Sequence, residues 1–91
     1  MQIQFIKNIQ FTRLIKADGR LREFNFRKIN GMHENLFSVD VVDDRGNRII
    51  FRMDKEDGSW KILKQALPIW VNENEKHFHD AIEEELRGPN S

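Results

Sequence analysis

The dipeptide Asp18-Gly19 is the feature that most constrains how this 91-residue chain can fold. A two-residue type I′ turn needs positive φ at both positions, and Asp-Gly adopts that conformation at low cost. Such a turn sets Ala17 opposite Arg20, and counting outward sets Phe11 opposite Phe26. Apolar and polar residues alternate along both arms. The sequence therefore predicts an antiparallel hairpin with one buried and one solvated face.

The predicted register assigns each side chain of this hairpin to a face, because residues directly opposite each other lie on the same side of a sheet. The buried face collects Ile9, Phe11, Ile15, Phe24 and Phe26. The solvated face collects Gln10, Thr12, Leu14, Lys16, Leu21, Glu23, Asn25 and Arg27.

Two further hairpins follow in the sequence. A three-residue loop over residues 44–46, with Gly46 in the left-handed position, sets Val39 opposite Phe51, whereas a two-residue loop would mix the faces. The stretch "KEDG" is interpreted as a four-residue connection that opposes Met53 to Trp60. The result is a five-stranded antiparallel meander, with strands at about 3–16, 21–29, 36–43, 48–54 and 59–64.

Residues after Leu67 favour a helix. Asn72 and Glu75 have the spacing of a capping box, and Gly88 marks the end of a helix over about 73–87. One apolar stripe results at 3.6 residues per turn, made of Val71, Phe78, Ala81, Ile82 and Leu86. Sheet and helix must cover each other, so residues 1–91 are predicted to form a single α+β domain with the helix packed on one face of the sheet.

The first strand is open to two interpretations at its start. Ile3 and Phe5 continue the parity of Phe11, which indicates one long strand, bent near Asn8, that outruns its partner. An overhanging edge can pair with its twin in a homodimer, or the bent strand can belong to a monomer.

Composition excludes several classes of protein. There is no cysteine, which removes disulfide scaffolds and thiol chemistry. No 18-residue apolar run exists, so we expect no membrane span and a cytoplasmic location. Fifteen basic and fifteen acidic residues balance, which argues against a strongly basic nucleic-acid binder.

Chemical motifs are equally sparse. His77 and His79 would lie about 200° apart on a helix, so a shared metal ion is not expected and the two rings are interpreted as solvated. No Gly-x-Ser-x-Gly elbow or phosphate loop is present, and the carboxylates fall in turns or on the exposed side of the helix. The chain is therefore predicted not to be an enzyme and to carry no cofactor.

Charge is unevenly distributed along the chain, since residues 1–31 hold seven basic and two acidic side chains. The candidate contacts for an anion or a nucleic acid are Lys16, Arg20, Arg22, Arg27 and Lys28. Single-strand binders also offer exposed aromatic rings, but here only Trp70 and Phe5 fall outside the predicted inner faces. Weak, sequence-independent nucleic-acid binding is thus the alternative function.

The preferred function is a small non-catalytic binding or self-associating module. Apolar residues recur on the predicted outer face, where they are candidates for contact with a protein partner or a second copy: Leu14, Leu21, Val42, Ile50 and Leu63.

The chain resembles two kinds of protein. The runs "FNFRKING", "DDRGNRIIFRM", "SWKI" and "LPIWV" resemble short uncharacterised proteins of Bacteroidota-type bacteria, which implies a small cytoplasmic bacterial domain without a known activity. Several strands followed by one helix are similar in topology to the PUR repeat, a module that binds single-stranded nucleic acid. No diagnostic motif residue of that repeat is found in the sequence.

Overall fold

A computed structural model describes residues 9–29, 36–63 and 65–88 of the chain. The elements are β1 (Gln10–Ala17), β2 (Arg20–Lys28), β3 (Leu36–Val42), β4 (Arg48–Glu56), β5 (Ser59–Ile62), α1 (Ile69–Asn72) and α2 (Glu75–Arg87). The strands form one antiparallel sheet in the order β1-β2-β3-β4-β5, and α2 packs on one face. The predicted α+β meander with a C-terminal helix is confirmed. The predicted strand start near residue 3 and the bend at Asn8 lie outside the described residues.

The first hairpin has the predicted register throughout. Asp18 and Gly19 have φ angles of 53° and 81°, as a type I′ turn requires. Ala17 lies opposite Arg20, and the pairing runs without a bulge to Gln10. The local turn conformation therefore determines which side chains of β1 and β2 reach the core.

The second hairpin also has the predicted three-residue loop. Gly46 has a φ of 83°, and Val39 lies opposite Phe51. The Asp43 carboxylate closes the loop by accepting hydrogen bonds from the backbone N–H groups of Arg45 and Asn47, at 2.9 and 2.8 Å.

The predicted register of the third hairpin is wrong by two residues. Lys55, not Met53, lies opposite Trp60, because Asp57-Gly58 forms a second two-residue turn with φ angles of 52° and 80°. β4 accordingly continues to Glu56, beyond its predicted end at residue 54. A shift of two residues preserves the parity of each side chain, so the buried set is unaffected.

The main helix begins two residues after the predicted start at about residue 73. A short helix, α1, comes first, and α2 begins at Glu75 behind Asn74, which caps it without a side-chain hydrogen bond. The capping box of Asn72 and Glu75 does not form because Glu75 Oε2 instead accepts the backbone N–H of Ile62 at 2.8 Å. At the other end, Leu86 of the predicted stripe is largely exposed.

Phe78 of α2 is the centre of the core. Its ring centroid lies 4.9 Å from that of Phe24, 5.3 Å from Phe51 and 6.2 Å from Phe26. Rings from two strands, β2 and β4, thus converge on one helical residue, which requires the sheet to curl around α2. The face that holds α2 is called the concave face here, and the other is the convex face.

The two edges of the sheet make different contacts with α2. At β5, the outward N–H groups of Trp60 and Ile62 donate to His79 Nδ1 at 3.0 Å and to Glu75 at 2.8 Å, both on α2. At β1, α2 is reached through Arg13, which donates to Glu85 at 3.4 Å. Side chains of the helix therefore satisfy the β5 backbone edge, but the contact with β1 is one between side chains.

Replacing Phe51 by alanine tests the core. Phe51 is 1% exposed and packs against Phe78. We expect Phe51→Ala to lower the free energy of unfolding by about 3–5 kcal/mol, because a large cavity is left beneath the helix. The matched control Leu14→Ala, at an exposed position, should change it by less than about 0.5 kcal/mol in urea unfolding. Equal effects of the two substitutions would contradict this packing.

Candidate functional site

The five outer-face apolar residues predicted as protein contacts lie on the convex face and form the convex band: Leu14, Leu21, Val42, Ile50 and Leu63. Their exposure ranges from 36% for Leu63 to 64% for Leu14. They lie at diagonal positions of the ladder. Leu14 faces Glu23 two residues from Leu21, and Ile50 faces Asp40 two residues from Val42. Diagonal neighbours on one sheet face are about 7–8 Å apart, within reach of long side chains.

A shallow depression joins the two halves of the band. Pairing between β2 and β3 extends only as far as Asn25 and Asp40, so the strands separate toward the first two turns. The depression there has a volume of about 360 Å³ and is lined by Leu21, Glu23 and Val42. Leu21 of β2 and Val42 of β3 therefore line the same depression, although the ladder does not extend to them.

A polar row that was not predicted from the sequence crosses four strands beside the band. Asn25 Oδ1 accepts the Thr12 hydroxyl at 2.7 Å, and its Nδ2 donates to Asp40 at 3.1 Å. Arg48 donates to the other oxygen of Asp40 at 3.1 Å. A cavity of about 400 Å³ lies along this row. The sequence contains a signal for this row, because the predicted register of the first hairpin already sets Thr12 opposite Asn25 on the solvated face.

The five predicted anion contacts do not form one patch. Arg20 and Arg27 lie seven residues apart on β2, which is roughly 23 Å at 3.3 Å per residue. Lys16 and Arg27 are exposed on the convex face, whereas Lys28 lies opposite Phe37 on the concave side and is half-buried. Arg20 is exposed but pairs with Asp44 at 3.1 Å.

Arg22, one of the five candidate anion contacts, is buried and bonded within the fold. Its side chain is 4% exposed and donates to the carbonyl of Ala17 at 2.9 Å and to Asp44 at 3.0 Å. The guanidinium carbon lies 4.5 Å from the ring centroid of Trp70, so Trp70 is also engaged. Phe5, the other ring expected to be free, lies outside the described residues.

Two clusters of charge have carboxylates with lowered pKa values. The hydrogen bond from Arg22, with its positive charge and that of Arg20, lowers the pKa of Asp44. The hydrogen bond from the Trp60 indole, at 2.8 Å, and then that from Lys55, lower the pKa of Glu83. Both carboxylates are thus held in the ionised form by partners within the fold.

His77 and His79 both make hydrogen-bond contacts within the fold. His79 is half-buried and accepts the backbone N–H of Trp60, so the interpretation of this ring as solvated is wrong. His77 Nδ1 lies 2.8 Å from Oδ1 of Asn74. Within residues 9–29, 36–63 and 65–88, no group of three His, Asp or Glu side chains is arranged to hold a metal ion.

Comparison with known proteins found no matching family model, no matching curated protein and no matching solved structure. The resemblances to short bacterial proteins and to the PUR repeat therefore stay predictions. Among the described helices, none is long and apolar enough to cross a membrane.

The lowered pKa of Glu83 predicts a dependence of stability on pH. A carboxylate whose folded pKa lies below its unfolded value of about 4.3 stabilises the fold above that pH, and the contribution is lost as pH falls through the folded pKa. We expect the free energy of unfolding in urea to fall from pH 5 to pH 3. Glu83→Gln, which keeps an acceptor for Trp60 but cannot ionise, should reduce that fall. An unchanged pH profile would contradict the assignment.

Proposed function

We propose that this chain is a small non-catalytic protein-binding or self-associating module that uses the convex band as its contact surface. One observation supports this above others: apolar side chains that are a third to two thirds exposed recur at diagonal positions on β1 and β2 and on β3 and β4, with Leu63 directly after β5. Each Å² of apolar area removed from water contributes roughly 25 cal/mol. Apolar residues that share one face therefore gain more from a protein surface than the same residues would gain if they were scattered over the molecule.

Nucleic-acid binding has less support. Every phenylalanine and tryptophan ring of the described residues is buried or half-buried, so no stacking platform faces solvent there. Of the five cations proposed for phosphate contact, Arg22 and Arg20 are held by Asp44. Three cations remain for anion contact: Lys16, Arg27 and Lys28.

The absence of catalysis is part of the proposal. Asp43, Asp44 and Glu83 have lowered pKa values, each caused by hydrogen bonds within the fold. A general acid at neutral pH needs the opposite, a raised pKa in a site closed to water. The bacterial origin, cytoplasmic location and homodimer predicted from the sequence stay predictions.

Site-specific photo-crosslinking tests the convex band. A benzophenone amino acid replaces Ile50, and in a matched control it replaces Arg45, which is exposed in the loop away from the band. In extract of the cells that express the chain, we expect a discrete protein adduct from position 50 and none from position 45. Adding Val42→Lys should abolish the adduct, because a charge then lies within the band, while stability in urea is retained.

Each result assigns the surface differently. An adduct between two copies of the chain assigns the band to self-association, and sedimentation of the purified protein then shows the same dimer. An adduct that survives Val42→Lys, or no adduct at position 50, contradicts the proposal. Binding to oligonucleotides that falls linearly with the logarithm of salt concentration would favour the alternative function.

A further inference from the structure

The outer edge of β1 presents backbone groups without a partner in the described ranges. The hairpin closes at Ala17 and Arg20, and the N–H of Lys28 donates to the carbonyl of Ile9 at 2.8 Å. Odd-numbered residues of β1 therefore pair with β2, and even-numbered residues point their N–H and C=O groups away from the sheet. β1 is an edge strand, and no backbone hydrogen bond joins Leu14 or Lys16 to another described segment on that side.

This open edge borders a groove. Between β1 and α2 lies a space of about 340 Å³, the β1–α2 groove, lined by Ile15 and Lys16 on the strand and by Asp80 and Ala81 on the helix. The groove exists because α2 is bonded to the opposite edge of the curled sheet, through Glu75, His79 and Glu83.

We infer that the β1–α2 groove binds an extended segment of another protein, which adds to the sheet as a strand beside β1. An open strand edge gives main-chain hydrogen bonds to such a segment, and neighbouring pockets select its alternate side chains. This inference rests on the proposed role as a protein-binding module. The two surfaces meet at Leu14, which belongs to the convex band and also lines the groove, but neither Val42 nor Ile50 lines the groove.

The lining determines the chemistry of the segment. Side chains of an added strand alternate between the two faces. Those on the concave side lie over Ile15, which is half-buried, and Ala81, which is buried, so an apolar side chain fits there. Asp80 is exposed and has no ion-pair partner within the described chain, while Glu84 lies 3.8 Å from Arg13. The next concave-side position therefore favours a basic residue.

Two synthetic probes test this chemistry. The first is acetyl-Thr-Val-Thr-Lys-Thr-Val-Thr-amide, which places Val, Lys and Val on one face of a strand, and the second carries Glu in place of Lys. In both, a dye replaces the acetyl group at the N-terminus, and fluorescence anisotropy is measured on the full chain at low salt. We expect the Lys probe to bind more tightly than the Glu probe. No binding of the Lys probe, or equal binding of both, overturns the inference.

The decisive variants are Leu14→Pro and Leu14→Ala. Both remove the leucine side chain, but only proline removes the outward N–H, and no hydrogen bond to β2 is lost because that group points away from β2. We expect Leu14→Pro to weaken binding of the Lys probe about tenfold relative to Leu14→Ala, which corresponds to losing a main-chain hydrogen bond. Equal affinities overturn the proposal.

A second variant keeps the test valid if Leu14→Pro does not fold. Asp80→Lys lies on the exposed side of α2 and should reverse the preference between the two probes. A preference that stays unchanged overturns the inference. Val42→Lys should leave probe binding intact. Loss of the crosslinked adduct at position 50 therefore reports on the proposed function, and loss of probe binding reports on the groove.

Discussion

The hydrogen bonds between the edge of β5 and α2 are the interaction on which the rest of the architecture depends. Glu75, His79 and Glu83 are spaced four residues apart on one side of the helix, and they accept the N–H groups of Ile62, the Trp60 backbone and the Trp60 indole. Buried donors without partners are costly, so these bonds fix the position of the helix at the β5 edge. Phe78 then lies where rings from β2 and β4 pack against it.

That attachment makes the sheet asymmetric, and both proposed surfaces follow from the asymmetry. Because α2 occupies the concave face, apolar residues of the opposite parity lie outside the core of the described residues and form the convex band. Since α2 is bonded at β5, the ion pairs between α2 and β1 within the described residues are those of Arg13 with Glu84 and Glu85, and a groove lies between the two elements. The position of α2 thus determines that N–H groups at the β5 edge are hydrogen-bonded to the helix and that the β1 edge borders a groove.

Local signals made much of the fold predictable, and the errors have physical causes. Asp18-Gly19 and Gly46 set two registers correctly because turn conformation and face parity agreed. Asp57-Gly58 predicts the same two-residue turn, but it was assigned to a four-residue loop. The predicted register between β4 and β5 was therefore wrong by two residues. The capping box does not form because Glu75 accepts a hydrogen bond from the backbone of Ile62, which is distant in the sequence. The exposure of the convex band followed from parity, but the burial of Arg22 depends on Asp44 and Trp70, which only tertiary packing brings together.

Amide hydrogen exchange at the two sheet edges, followed by NMR on the free protein, tests the asymmetry most directly. We expect slow exchange at Trp60 and Ile62, whose N–H groups donate to His79 and Glu75, comparable to that of the central strands. Exchange should be at least about tenfold faster at Leu14 and Lys16, whose N–H groups point outward from β1. Fast exchange at Trp60 and Ile62, or equal protection of both edges, would contradict the asymmetry.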